Sequence, residues 1–212
     1  MNIHRFVTNP IGENCFIVWD DTQEAVIIDC GAWGEAKENK IARFIEENHI
    51  HLCYALQTHM HFDHIMGLHF LHQRYGLRPS CHALEQAVYE AMPAMVQAWM
   101  GVAMQEPLVP IQEHLTDGQE LTFGHTTLRV LFTPGHTPGG LCFYLPEAKI
   151  LFSGDTIFQG SIGRSDLPGG SMNALVESIR TKILPLPDDV TIYPGHGPST
   201  TIGNEKRTNP YL

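Results

Sequence analysis

The sequence predicts an α/β chain in which two β-sheets pack face to face and helices cover their outer faces. Two observations carry this. Strand-like runs followed by helical periodicity occur twice along the chain, and glycines punctuate the second set of strands. At 212 residues and 43% hydrophobic composition, the chain is long enough to bury a sizeable core as one domain, residues 1–212. It needs neither a disulfide nor a metal merely to fold.

Residues 3–8, 14–19 and 24–29 read as strands, the last rich in β-branched residues and ending at Cys30-Gly31. A helix follows over 35–48, with Ile41, Phe44 and Ile45 on one stripe. Residues 52–57 form a short buried strand that runs into a histidine-rich loop. A helix over 65–75 turns Ile65, Leu68, Leu71 and Tyr75 inward, and Gly76 closes it. Residues 83–105 read as a longer helical region interrupted at Pro93. Its Met92, Met95, Trp99, Met100 and Met104 are either core packing or an apolar lid over a site. Strands follow at 120–123, 126–132, 141–145 and 149–152. Ser171 caps a helix carrying Leu175, Val176, Ile179 and Ile183, with Arg180 and Lys182 in its last turn and Pro185 as its stop. A last strand at 190–193 leads into Pro194-Gly195-His196-Gly197.

Composition excludes several classes. A net charge of −10 repels phosphate backbones, and no basic run offsets it, so nucleic acid is not an expected partner. No stretch approaches the roughly 20 apolar residues that span a bilayer, so no membrane partner is expected. Residues 1–6 alternate like a strand and lack the apolar run of a secretion leader, so a cytoplasmic protein is expected. Cys15, Cys30, Cys53, Cys81 and Cys142 form no Cys-x-x-Cys pair and read as reduced, mostly buried thiols.

The thirteen histidines are the compositional anomaly, and they cluster. Thr58-His59-Met60-His61-Phe62-Asp63-His64 is a His-x-His-x-Asp-His run. Neutral imidazole and carboxylate are good ligands for zinc, iron(II) and manganese. In an extended loop, residues two apart project to the same side, so His59 and His61 can grip one ion. The turn that follows re-aims the chain, letting Asp63 and His64 face a second. Two ions need further ligands, and His136, Asp155 and His196 stand beside glycine at the ends of later strands. His72, eight residues past His64 on a helix, lies about 12 Å along the axis and is too far to join them. It reads as a surface histidine, with His4, His49, His51, His69, His82, His114 and His125.

These segments, in this order, resemble the metallo-β-lactamase superfamily over nearly the whole chain. The resemblance implies that family's four-layer αβ/βα sandwich, two mixed sheets with helices outside. It implies His59, His61 and His136 on one metal, Asp63, His64 and His196 on the other, and Asp155 bridging both. Asp29 matches the family's buried acidic residue behind the ligand loop, where it would orient a ligand. The expected cofactors are two divalent ions, zinc first, with iron or manganese as alternatives. A pair of such ions activates a bridging hydroxide, and Asp63 is the candidate to orient it or accept its proton.

Residues 159–170, containing Gly160-Ser161-Ile162-Gly163-Arg164-Ser165-Asp166, resemble a loop of small bacterial glyoxalase II-like proteins, as does the segment 201–210. That resemblance implies a thioester hydrolase acting on S-lactoylglutathione or another small acyl-thiol, the expected partner. Arg164 either binds a substrate carboxylate or pairs with Asp166 to stiffen the loop. Two-domain glyoxalase II has a further helical domain that grips glutathione, and only sixteen residues follow His196 here, so the thiol carrier stays open. The alternative is a persulfide dioxygenase, which resembles this chain in the ligand loop but binds a single iron through the equivalents of His59, His136 and Asp155. A third reading is a non-catalytic metal-binding protein.

Overall fold

The structure is a computed structural model describing residues 1–104 and 106–212. Gln105, the end of the expected 83–105 helical region, lies outside the described residues. The order is β1 Asn2–Val7, β2 Asn14–Trp19, β3 Glu24–Ile28, α1 Glu35–Glu47, β4 His51–Leu56, α2 Phe62–Ile65, α3 Leu68–Tyr75, β5 Pro79–His82, α4 Glu85–Met100 and β6 Glu113–Leu115. Then come β7 Glu120–Phe123, β8 Thr126–Phe132, β9 Leu141–Leu145, β10 Ile150–Gly154, β11 Ile157–Phe158, β12 Ser161–Ile162, α5 Met172–Ser178, β13 Thr191–Pro194, β14 Thr200–Thr201 and α6 Ile202–Thr208. One six-stranded sheet runs β1-β2-β3-β4-β5-β6, and the other runs β14-β13-β10-β9-β8-β7. Both are mixed, because β3 to β6 pair in parallel and β10 pairs in parallel with β13.

Side-chain alternation builds the layers. In β2 and β3, Phe16, Val18, Val26 and Ile28 face the second sheet, while Cys15, Ile17, Ala25 and Ile27 face the layer holding Ile41, Leu71 and Met92. In β9, Leu141, Phe143 and Leu145 face the first sheet, and Cys142 and Tyr144 face Leu175, Ile179 and Ile183. Each of these strands is therefore buried on both faces, with helices outside two stacked sheets. This is the four-layer arrangement expected from the sequence. At the rim holding the β2–β3 turn, Asp20 joins the sheets by accepting the His125 N–H at 2.6 Å and the Thr126 hydroxyl at 3.1 Å. Burial alone would raise its pKa, but bonds from Thr22, His125 and Thr126 outweigh that and hold the carboxyl at about 2.

Several expectations need correction. Pro93 does not interrupt α4, which runs unbroken to Gly101 at φ +69°. Buried Met92 and Val96 anchor the turns on either side of the missing N–H and absorb its cost. The helix expected at 65–75 is two pieces, because Gly67 gives its N–H to the Cys30 carbonyl at 2.8 Å, while the Asp63 carbonyl four residues back accepts from Asn9 Nδ2. The helix begun at Ser171 is capped as expected, its hydroxyl accepting Ala174 N–H, but widens into a π-helical turn at Ile179–Ile183. Strands β5 and β6, the β11–β12 hairpin and α6 were not expected. His4 and His82 are half-buried rather than free surface groups, stacking on Phe44 at 4.0 Å and Phe132 at 4.3 Å.

Candidate metal centre

One rim of the sandwich collects the strand ends that carry chemistry. Asp29 follows β3, the His59–His64 run follows β4, His136 lies between β8 and β9, Asp155 follows β10 and His196 follows β13. All seven expected ligand residues converge there. His61 Nδ1 lies 2.9 Å from His136 Nε2, which lies 3.2 Å from His59 Nε2. His64 Nε2 lies 3.4 Å from Asp63 Oδ2, and His196 Nε2 lies 3.0 Å from the same oxygen. Asp155 touches both groups. Its Oδ1 is 3.5 Å from His64 Nε2, and its Oδ2 is 3.7 Å from both His136 Nε2 and His196 Nε2.

Hydrogen bonding fixes which nitrogens carry protons. His136 Nδ1 is 2.7 Å from the Arg164 carbonyl, which can only accept, so Nδ1 donates and a neutral ring turns the lone pair of Nε2 to the centre. The Thr58 hydroxyl donates to Asp29 Oδ2 at 2.6 Å, so it must accept from His59 Nδ1 at 3.0 Å, leaving His59 Nε2 bare as well. Two lone pairs thus face each other 3.2 Å apart with no proton between them. That arrangement repels unless a cation sits there, and ligand nitrogens around tetrahedral zinc stand about 3.3 Å apart. On the other side, the buried Asp155 Oδ1 and His64 Nε2 have no hydrogen-bond partner. The residues fit a pair of cations.

Electrostatics agree. Burial, then the neighbouring imidazoles, hold His59 well below the usual histidine range, and burial with His136 pushes His61 down to about 3. Both are neutral donors of the kind a metal takes. Burial disfavours charge on His64, yet Asp63, Asp155 and Asp29 together raise its pKa well above normal. Those carboxylates surround one imidazole and call for positive charge. Burial would raise Asp63, but His64 and His196 outweigh it and keep the carboxylate ionised.

The surrounding shell is mostly backbone and buried polar groups. Asp29, left-handed at φ +53°, accepts Thr58 N–H at 2.8 Å and stands 3.1 Å from His64 Nδ1. A Cβ on Gly195 would meet Asp155 Oδ1 at 2.3 Å, and one on Gly163 the Asp155 carbonyl at 1.8 Å. Arg164 pairs with Asp166 through two 2.8 Å bonds and is exposed, which favours the stiffening reading. Its contribution to the centre runs through its carbonyl on His136.

Sequence reading missed Glu85. This fully buried carboxylate at the start of α4 accepts Met60 N–H and Gly139 N–H, each at 2.8 Å. It therefore clips the loop of His59 and His61 to the loop of His136. Burial raises its pKa, and those donors lower it. An acidic residue in a first helical turn ordinarily signals only the helix dipole, so no local pattern singles it out. Glu85→Ala strands two buried N–H groups at about 1–3 kcal/mol each. The variant is expected to lose roughly 3 kcal/mol in urea unfolding and to bind metal more weakly, with Glu85→Gln between it and the parent. Unchanged stability and metal affinity in Glu85→Ala would remove the clip.

Comparisons place this geometry among known proteins. The sequence model of the metallo-β-lactamase superfamily matches residues 8–196. The chain is 39% identical to hydroxyacylglutathione hydrolase GloC of Haemophilus influenzae, covering 100% of this chain and 98% of that protein. Among solved structures it is similar to the BLEG-1 B3 metallo-β-lactamase, with TM-score 0.89 and 34% identity over 100% of this chain and 99% of that one. It is similar also to TTHA1623 in a di-iron-bound form, with TM-score 0.87 and 37% identity over 99% and 100% of the two chains. ETHE1 from Myxococcus xanthus, with TM-score 0.80 and 24% identity over 99% and 84%, shares the fold.

Proposed function

The chain belongs to the metallo-β-lactamase superfamily, and we propose that within it the protein is a dinuclear metal-dependent thioester hydrolase acting on a small acyl-thiol. The observation that carries this reading is the position of Asp155, between one group of three imidazoles and a second group of Asp63, His64 and His196. We assign His59, His61 and His136 to one ion, Asp63, His64 and His196 to the other, and Asp155 to both. The GloC likeness supports a glyoxalase II-like activity on S-lactoylglutathione, and the di-iron TTHA1623 supports a two-ion centre. Zinc, iron and manganese all suit this donor set.

When bound, the ions supply the Lewis acidity that makes water nucleophilic near neutral pH and that takes charge from the substrate carbonyl oxygen. The protein's part is orientation. Asp63, whose Oδ2 lies 3.0 Å from His196 Nε2 and 3.4 Å from His64 Nε2, stands where it can aim the attacking water or accept its proton. The leaving thiolate needs little protonation, so no separate acid is required. Asp29 holds His64, and Thr58 holds His59, so both imidazoles present Nε2 to the centre. No helix among the described residues is long and apolar enough to cross a membrane, and the five cysteines are free thiols. Both suit the cytoplasmic setting we assign.

Elemental analysis of the purified protein beside an S-lactoylglutathione hydrolysis assay tests the reading. The expected result is about two metal equivalents per chain and release of glutathione. A single iron with oxygen uptake on glutathione persulfide would replace the hydrolase by the dioxygenase alternative. A fully loaded protein that leaves every S-acyl thiol intact would end the thioesterase reading.

A further inference from the structure

A cavity of about 520 Å³ lies on the Phe62 side of the centre, between the start of α1, the turn of α2 and the second half of α4. Trp33, Phe62, Met66, Val96, Met100 and Met104 give it an apolar wall. Phe62 stands between His61 and Asp63 in the chain, so the wall is built in part by the same loop that carries two residues of the centre. Glu35, Glu38 and Glu106 also line it, and no lysine or arginine among the described residues does. Burial raises the Glu38 pKa and Glu106 and Glu35 raise it further, while His69, 3.1 Å from Glu106, lowers it in part, so the carboxylates repel one another on balance. An anionic ligand group would join that repulsion. The Arg164 loop reaches the centre separately, through the bond from His136.

The geometry points to this cavity as the acyl subsite, taking an apolar, uncharged acyl chain while the charged thiol carrier lies elsewhere. The assignment rests on the thioesterase reading and deepens it. Apolar walls bind by removing methylenes from water, whereas the carboxylates exclude a chain ending in its own carboxylate. Exposed Trp99, whose ring meets Phe62 at 6.4 Å, and exposed Met100 leave the cavity open at the end of α4. The methionines can adjust to chains of different length. The lid and core readings of this region therefore meet. Met92 and Val96 are buried core, and the last turn forms the wall of a binding site.

The experiment is a series of S-acylglutathiones from acetyl to decanoyl, assayed with the metal-loaded protein. kcat/KM is expected to rise about fourfold per methylene until the cavity is full. A glutaryl thioester is expected to fall at least tenfold below the pentanoyl thioester. In Val96→Phe the rise should flatten and stop at shorter chains. S-alkylglutathiones, which are not hydrolysed, give a second readout, since S-hexylglutathione should bind more tightly than S-methylglutathione and change the fluorescence of Trp33. That signal should vanish in Trp33→Phe. Hydrolysis with a flat length profile overturns the subsite and leaves the thioesterase reading standing. Absence of hydrolysis at every chain length, for S-acylglutathiones and the matching acyl-coenzyme A thioesters alike, overturns that reading and the subsite with it. S-alkyl compounds that all bind alike overturn the subsite even where Val96→Phe fails to fold.

Discussion

Asp155→Asn is expected to cut bound metal well below two equivalents and to lower thioester turnover roughly a thousandfold or more, about 4 kcal/mol on the barrier. Among the described residues, Asp155 is the one carboxylate within 4 Å of His64, His136 and His196 together. Asparagine keeps its shape but removes the charge and puts an amide N–H where one of two accepting oxygens stood. The site then lacks the group common to both halves. The fold should survive, because Asp155 follows β10 at the rim and its side chain belongs to none of the apolar clusters. Circular dichroism and elemental analysis on one sample separate the two effects. Full metal content and full turnover in this variant would show that Asp155 does not join the ions.

The second large effect is expected at Asp29, although it lies behind the ligands. Its two oxygens accept the Thr58 N–H and the Thr58 hydroxyl, and Oδ2 also stands 3.1 Å from His64 Nδ1. An asparagine in its place would offer a single acceptor and turn its NH2 toward another donor. Either His64 moves its proton to Nε2, which points at the centre, or Thr58 turns and releases His59. Asp29→Asn should therefore lose about 10–100-fold in metal affinity, and roughly 2–4 kcal/mol of stability from the buried donor left over. Chelator competition measures the first and urea unfolding the second. Imidazole nitrogen shifts of His64 report the tautomer directly. Parent affinity for both ions would show that this shell does not set ligand orientation.

What sequence could reveal was local. The His-x-His-x-Asp-His run is contiguous, and the nearly unbroken apolar runs of β2, β3 and β9 announce strands buried on two faces, so the sandwich and the residues of the candidate centre were both readable. The short β5 and β6 were not. Pro79–His82 and Glu113–Leu115 show little pattern alone and become strands by parallel pairing, β5 with β4 and β6 with β5. The break at Gly67 depends on the carbonyl of Cys30, more than thirty residues earlier. Glu85 acts on Met60 and Gly139, twenty-five residues back and fifty-four ahead. Contacts across such separations leave no local periodicity. Pro93 misled for a related reason, since its intrinsic preference gave way to burial on either side.

Gly163 and Gly195 lie against Asp155 so closely that any added carbon would strike its carbonyl or its carboxylate. Part of the wall beside the reactive centre is thus bare main chain, and directed evolution has nothing to vary there. Libraries aimed at new substrates would do better at Met66 and Met100, which line the cavity without belonging to the fully buried core.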